Sequence, residues 1–407
     1  MKIENSHLIA PNFPTANIFT RINGISADRA GRPMLIAWTL EDAALRSGWQ
    51  AGSCLGTERE LLEQFGVGRD TLREAVRVVE ARGSMQMQRG CAGGLRLLSP
   101  RIEDVASALA AYLHACNYTK AELQEAAAAA GPVFTALGDK ELVVCLYRQT
   151  IEMLSAGKTP GVSGTNRAET IAARLIESHG PPPENGIFLG DEARLSEELG
   201  CSRPALREAL RILADLSILK VRRGRGGGFS LVQPSPDAII RRVFGLIASQ
   251  HLALAELVPS MWAQHLIQLR LAIRQLRLLD DRTRALRCDN LAALLDQGSE
   301  PARWFTLQRE LGRIANNQFT GVLIDSFAYY LGRLNPTNAS GSAASVSWST
   351  AITRWNEIDA ALLAMGRAFV QALRRGDYTE AERLHLDIHS RISLALHWPD
   401  WPGTVSL

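Results

Sequence analysis

Apolar and polar residues follow two different periods between residues 55 and 100. Three apolar residues share one face of a short helix that ends at Gly66: Leu61, Leu62 and Phe65. The apolar stripe of a second helix consists of Leu72, Ala75, Val76 and Val79. Residues 85–88 and 95–98 then alternate as in β-strands around the Gly-rich segment 89–94. The pattern predicts two helices joined by a tight turn and followed by a β-hairpin.

The same pattern occurs a second time, 134 residues further along the chain. Residues 55–100 align without gaps on residues 189–234, with 18 identities in 46 positions. The second hairpin is predicted from strands at 219–222 and 229–231 around the loop 223–228. Two copies are too few for a solenoid, so the repeat indicates a duplicated domain.

Three motifs carry the repeat. They are LGTEREL, GVGRDTLREAV and RGCAGG in the first copy, and LGDEARL, GCSRPALREAL and RGRGGG in the second. Both copies, with the helices that precede them, resemble the winged helix-turn-helix of the GntR family of bacterial transcription regulators. The sequence departs from the family pattern at Gly56, Gly190, Ala193, Cys91 and Ala92. The resemblance implies a mainly α fold with small β wings and binding to double-stranded operator DNA.

Arginines recur every four residues on each second helix, opposite its apolar stripe. The rows are Arg69, Arg73 and Arg77, and Arg203, Arg207 and Arg211. A solvated face partly neutralised by Glu74 and Glu208 is the structural alternative. Residues 203–225 hold seven basic residues against two acids, a local excess of +5 that favours phosphate neutralisation.

The family resemblance assigns DNA contacts to matching positions. In the first copy these are Arg59, Arg69, Thr71, Arg73, Arg89 and Gly90. In the second copy they are Arg203, Arg207, Arg223, Gly224 and Arg225. Asp70 and Thr71 align with Pro204 and Ala205 near the expected base edges, so the two copies are predicted to read different sequences and the operator to be asymmetric.

Residues 235–395 show apolar stripes spaced three to four residues apart, which predict an antiparallel helical bundle. This part resembles the effector domain of the FadR-like (FCD) subfamily, at residues 304–317 and 368–382. In that subfamily the bundle binds a small acid or acyl ligand, in many members through a metal. The metal positions correspond to Ala302, Thr306, Gly366 and Ile388, so we expect no metal and an apolar or acyl effector.

Two histidines four residues apart, His385 and His389, leave open a metal site, although a half-buried helix face is the commoner reason for such a pair. His251 and His265 are interpreted as isolated structural histidines. No cofactor is expected.

Composition limits the class of protein but does not indicate its function. The chain has 407 residues, a net charge of +3 and six scattered cysteines without a metal or disulfide spacing. No secretory signal and no membrane-spanning apolar run is present in the sequence. A reduced, cytoplasmic protein without membrane contact is expected.

The chain is divided by these patterns into seven parts. They are an N-terminal extension (1–36), a first winged helix-turn-helix (37–100), a truncated FCD-like helical segment (101–155), a linker (156–168), a second winged helix-turn-helix (169–234), an FCD-like bundle (235–395) and a tail (396–407). We expect the truncated segment to pack on the bundle.

The sequence favours a ligand-responsive transcription regulator that uses two non-identical winged helices on one operator. The alternative is a constitutive architectural or scaffolding DNA-binding protein that has lost effector sensing. An enzyme is not expected, because the chain contains no nucleophile elbow, P-loop, dinucleotide fingerprint or His-Glu-x-x-His motif. Repression or activation, the effector and homodimer formation stay open.

Overall fold

A computed structural model of the protein describes residues 32–396, with gaps at 91–92, 139–140, 156–166, 181, 184, 217, 223, 225–226, 253, 298–301 and 334–347. The fold is mainly helical with small antiparallel sheets, as the sequence predicts. The chain forms two compact units. Of the described residues, the first unit includes those of 32–120 and 145–251, and the second those of 121–144 and 252–396.

The first unit begins with residues 32–115, called here the first half. Its helices are α1 (Arg32–Arg46), α2 (Glu58–Phe65), α3 (Arg69–Ala81) and α4 (Ile102–Ala115). Its strands are β1 (Cys54–Gly56), β2 (Met85–Gln88) and β3 (Gly94–Leu97). The predicted two helices, tight turn and hairpin are confirmed.

Local interactions explain why α2 and α3 are separate helices. Thr57 caps α2 in a capping box, in which its hydroxyl accepts from the Glu60 N–H and the Glu60 carboxylate accepts from the Thr57 N–H. Gly66 ends α2 in the left-handed conformation at φ 56°, which costs glycine no Cβ clash. The chain then reverses over 66–68, and α3 packs its apolar stripe against α1.

Residues 167–249, the second half, repeat the same order of elements. The helices are α7 (Arg167–His179), α8 (Glu192–Glu198), α9 (Arg203–Asp215) and α10 (Pro236–Ser249). The strands are β4 (Ile187–Gly190), β5 (Leu219–Arg222) and β6 (Gly228–Leu231). Helices α5 (Lys120–Leu137) and α6 (Leu142–Ser155) lie between the halves in sequence.

The two sheets have matching topology and register. The strand orders are β1-β3-β2 and β4-β6-β5, all antiparallel. Met85 faces Leu97 in the first hairpin, and Leu219 faces Leu231 at the equivalent positions of the second. These four residues are buried, so this end of each hairpin joins its wing to the helical core.

Helices α4 and α10 connect the halves inside the first unit by packing against each other. Trp49, fully buried beyond α1, lies edge-on to Phe244 of α10 with ring centroids 6.3 Å apart. Its indole N–H donates to the Leu98 carbonyl at 2.8 Å. An aromatic pair buried this completely fixes α10 against the first half.

The second unit is a helical bundle. Its helices are α11 (Leu254–Arg277), α12 (Asp281–Asp296), α13 (Ala302–Ala315), α14 (Gln318–Arg333), α15 (Trp348–Arg375) and α16 (Tyr378–Leu396). Helix α5 groups with them, and the Asn317 amide donates to the Glu122 carbonyl at 3.3 Å. Among the described helices, none combines the length and the apolarity needed to cross a membrane.

Candidate nucleic-acid interface

The arginine rows lie on the solvent side of α3 and α9. Leu72, Ala75, Val76 and Val79 are buried, and this leaves Arg69, Arg73 and Arg77 exposed on the opposite side. On α9, Arg203, Arg207 and Arg211 are exposed in the same way. Thr71 is half-buried beside the first row. Each half thus presents a basic helix face that can meet phosphates.

The central arginine of each row pairs with the helix before it. Arg73 Nε lies 3.5 Å from Glu58 Oε1 on α2, and Arg207 Nε lies 2.9 Å from Glu192 Oε1 on α8. The hydrogen bond to Glu192 raises the pKa of Arg207 above its usual range. The sequence contains a signal for this pairing, because Glu58 and Glu192 occupy equivalent positions of the repeat. Of the two neutralising acids expected from the sequence, Glu208 pairs with Arg211.

The first arginine of each row stands at the start of its helix. Among the described residues, Arg69 and Arg203 have no ion-pair partner. Arg59, whose side chain is 87% exposed, pairs with Glu63 at 2.9 Å on the same helix face. Arg69 and Arg203 can therefore reach a groove without first giving up a carboxylate.

The tips of the two wings have the same backbone turn. The Gly93 N–H donates to the Gly90 carbonyl at 2.9 Å, and the Gly227 N–H donates to the Gly224 carbonyl at 2.9 Å. Gly90 has φ 114° and Gly224 has φ 98°, which favour glycine at both tips. Arg89 is exposed beside the first tip. Arg223 and Arg225, predicted beside the second, lie outside the described residues.

The wings differ in charge. Strand β2 exposes Gln86 and Gln88, whereas β5 exposes Lys220 and Arg222 at the equivalent positions. Backbone geometry is thus repeated while the electrostatic potential is not. Among the described residues, the exposed strand of the second wing carries more positive charge than that of the first.

Both halves therefore present a basic helix, a turn and a hairpin on the same framework. Residues 36–92 match the family model described as bacterial regulatory proteins, gntR family. This match covers less than half of the chain and lies within the first half. It supports a DNA-binding regulator of the GntR type. A search of curated proteins found no match.

A cavity of about 230 Å³ lies in the bundle of the second unit. Its lining includes His265, Gln268, Gln308, Arg309 and Asp325. Burial raises the pKa of Asp325 to about 6, against the opposing effect of Arg309. Within the described structure, Gln268 Oε1 and Gln308 Oε1 are buried without a hydrogen-bond partner.

His265 is not isolated, in contrast to the sequence interpretation. Its ring centroid lies 5.5 Å from that of His389, which stacks on Trp262 at 4.1 Å. His385 is also buried, and its Nε2 lies 3.0 Å from Gln308 Nε2. Burial lowers the pKa of all three histidines, that of His265 to about 4. Across the described part of the chain, no group of three or more His, Cys, Asp or Glu residues could hold a metal ion.

Proposed function

We propose that this protein is a sequence-specific transcription regulator in which both halves bind one stretch of operator DNA. The observation that carries the proposal is the repetition, in the second half, of the geometry found in the GntR-type domain. The Arg–Glu contact between neighbouring helices and the glycine turn of the wing both recur 134 residues later. These are features of the proposed binding face and not only of the core.

The residues proposed to contact DNA are those to which the family resemblance assigns such contacts. In the first half they are Arg59, Arg69, Thr71, Arg73, Arg89 and Gly90, and in the second half Arg203, Arg207, Arg223, Gly224 and Arg225. Arg69 and Arg203, at the helix starts, are proposed to reach base edges. Arg73 and Arg207 are proposed to exchange a carboxylate for a phosphate, because each already holds an anion.

The closeness of the two recognition helices supports a compact operator. Cα atoms of α3 and α9 come within 8 Å of each other. Each helix has 13 residues and is therefore about 20 Å long, so the helix centres are closer than the roughly 34 Å that separates successive turns of the major groove. We propose that both helices contact one continuous stretch of DNA rather than two half-sites a full turn apart.

The bundle is proposed to be an FCD-like effector domain. Its cavity supports a binding role, since buried acceptor atoms of Gln268 and Gln308 line it. The sequence favours an apolar or acyl effector, whereas this lining favours a small ligand that donates hydrogen bonds. Binding of a ligand to the bundle would change DNA affinity only if the ligand prefers one arrangement of the two halves.

DNA selection from a random duplex library, with the full chain, tests the proposed function. We expect enrichment of one asymmetric motif and binding that weakens steeply with salt. Enrichment of no motif would overturn sequence-specific regulation and leave an architectural DNA-binding protein. Thermal-shift screening with small polar acids, amides and acyl compounds tests the effector separately, because a ligand of the folded state raises the Tm.

A further inference from the structure

A buried cluster of charges joins the second half to the first. Arg241 of α10 lies with its Nη1 atom 3.4 Å from Glu41 Oε2 and 3.4 Å from Asp42 Oδ1 on α1. The side chains of Arg241 and Glu41 are both fully buried. Arg241 and Glu41 are 200 residues apart in sequence and lie in the same compact unit.

The first half supplies the rest of the environment. Arg82 Nη1 contacts both carboxylate oxygens of Glu41, at 3.0 and 2.8 Å, and its side chain is 3% exposed. The Arg241 guanidinium lies over the Trp38 ring, 4.7 Å from its centroid. Glu41, Arg82 and Arg241, the charge cluster, are therefore closely paired in a region shielded from water.

The described residues of the second half form no corresponding charge cluster. Arg82 aligns with Leu216, which is buried, and Arg241 aligns with Ser107 of α4. Helices α4 and α10 have the same length and start at equivalent positions, so this alignment continues past the motif. The described buried residues of α7, the counterpart of α1, are apolar: Ala168, Ile171, Ala172, Leu175 and Ile176.

We propose that the charge cluster determines which halves pair. It makes a first half pair with a second half rather than with another first half. If two second halves from different chains paired, Arg241 would face the apolar residues of α7 and would be buried without a carboxylate. If two first halves paired, Glu41 and Asp42 would face Ser107 and lose the Arg241 charge. The pair of two second halves is disfavoured because Arg241 is left without a carboxylate, and the pair of two first halves because only Arg82 then balances the charges of Glu41 and Asp42. Specificity against wrong partners arises in this way.

The inference concerns the pairing of halves and holds whether or not they bind DNA. Its consequence for the proposed function is that α3 and α9 are held in one relative orientation. A buried polar contact of this kind contributes uniqueness of the arrangement more than stability, since apolar residues of similar volume often stabilise as well or better.

Distances between α3 and α9 in the full chain test the proposal. Spin labels are introduced through noncanonical amino acids at the exposed, equivalent positions 77 and 211, and double electron–electron resonance gives the distance distribution. The test variant carries Glu41→Leu, Arg82→Leu and Arg241→Met. The control carries Arg101→Met and Glu103→Leu, which remove an exposed ion pair of the same unit.

We expect one narrow distance for the unmodified cluster and for the control. In the test variant, a second population rises about tenfold, from under about 1% to about 10%, and grows with protein concentration because like-with-like pairing needs two chains. A folded test variant with a single narrow distance would overturn the proposal.

Single substitutions decide the question if the triple variant does not fold. Arg241→Met is expected to give the second population, whereas Arg241→Lys keeps the charge and the single distance. Equal distributions for these two variants, whether both single or both broadened, would contradict selection by the Arg241 charge.

Discussion

Arg207 of α9 donates its Nε–H to Glu192 of α8 at 2.9 Å, joining the second helix of the motif to the first. Arg73 and Glu58 make the equivalent contact in the first half at 3.5 Å. Each arginine lies beside an acid that a DNA phosphate could replace. Under the proposed function, DNA affinity depends on these two acids as well as on the basic side chains.

Glu192→Gln is predicted to tighten binding to duplex DNA by roughly two- to fivefold at low salt, because it removes a negative charge and frees Arg207 for phosphate. Fluorescence anisotropy with a labelled duplex measures the change. Glu197→Gln, on the exposed side of the same helix, is the control and is expected to tighten binding less. Equal effects of the two variants would show that only net charge matters.

Arg203→Ala is predicted to weaken DNA binding more than Arg69→Ala, because the second half also carries Lys220 and Arg222 on its wing strand. Each variant should weaken binding by about 1–3 kcal/mol and relax the sequence preference at the base pair that the arginine contacts, as expected for one lost base contact. Arg287→Ala, exposed on α12, serves as the control. Identical losses for Arg69→Ala and Arg203→Ala would contradict different roles for the two halves.

Asp325→Asn is predicted to stabilise the protein above pH 6. Burial raises the folded-state pKa of Asp325 from 3.8 to about 6, so the charged form is disfavoured and its cost disappears as pH falls. The gain in unfolding free energy should reach about 3 kcal/mol at pH 7.5 and roughly half of that at pH 5. Urea unfolding at both pH values measures it, with Glu197→Gln as the exposed control. A gain independent of pH would argue against titration of Asp325.

His389→Gln is predicted to reduce the acid sensitivity of folding. Burial lowers the folded-state pKa of His389 well below 6.5, so the unfolded chain binds the extra proton and stability is lost as pH falls below 6.5. Removing this group should lower the loss between pH 7.5 and pH 5.5 by about 1.4 kcal/mol in total, because the imidazole of the unfolded chain takes up its proton over that range. Urea unfolding between pH 7.5 and 5.5 measures the slope. His251→Gln, at an exposed position, should leave it unchanged, and equal slopes for both variants would contradict the role of burial.

Local features of the two halves were predictable from the sequence. The helix end at Gly66, the stripe from Leu72 to Val79 and the hairpin strands depend on residues close together in the chain, and the structure has them within a residue or so. The turn keeps its hydrogen bond from Gly93 to Gly90 although the sequence departs from the family pattern at positions 91 and 92, because the positive φ falls on the retained Gly90.

Contacts between distant segments were not predictable in the same way. The pairing of Glu41 with Arg241 depends on how α10 packs on the first half, and neither residue belongs to a motif. His265 joins His389 only because α11 and α16 are neighbours in the bundle, so a histidine that looks isolated in sequence lies in a cluster. Sequence periodicity indicates which face of a helix is buried but not which helix covers it.

Hydroxyl-radical footprinting of the full chain on its selected duplex tests the central claim most directly. If both halves bind one site, the footprint is a single continuous protected stretch without two-fold symmetry. Arg69→Ala and Arg203→Ala are then expected to shorten this stretch from opposite ends. Two symmetric protected half-sites one helical turn apart, or protection that Arg203→Ala leaves unchanged, would contradict the claim.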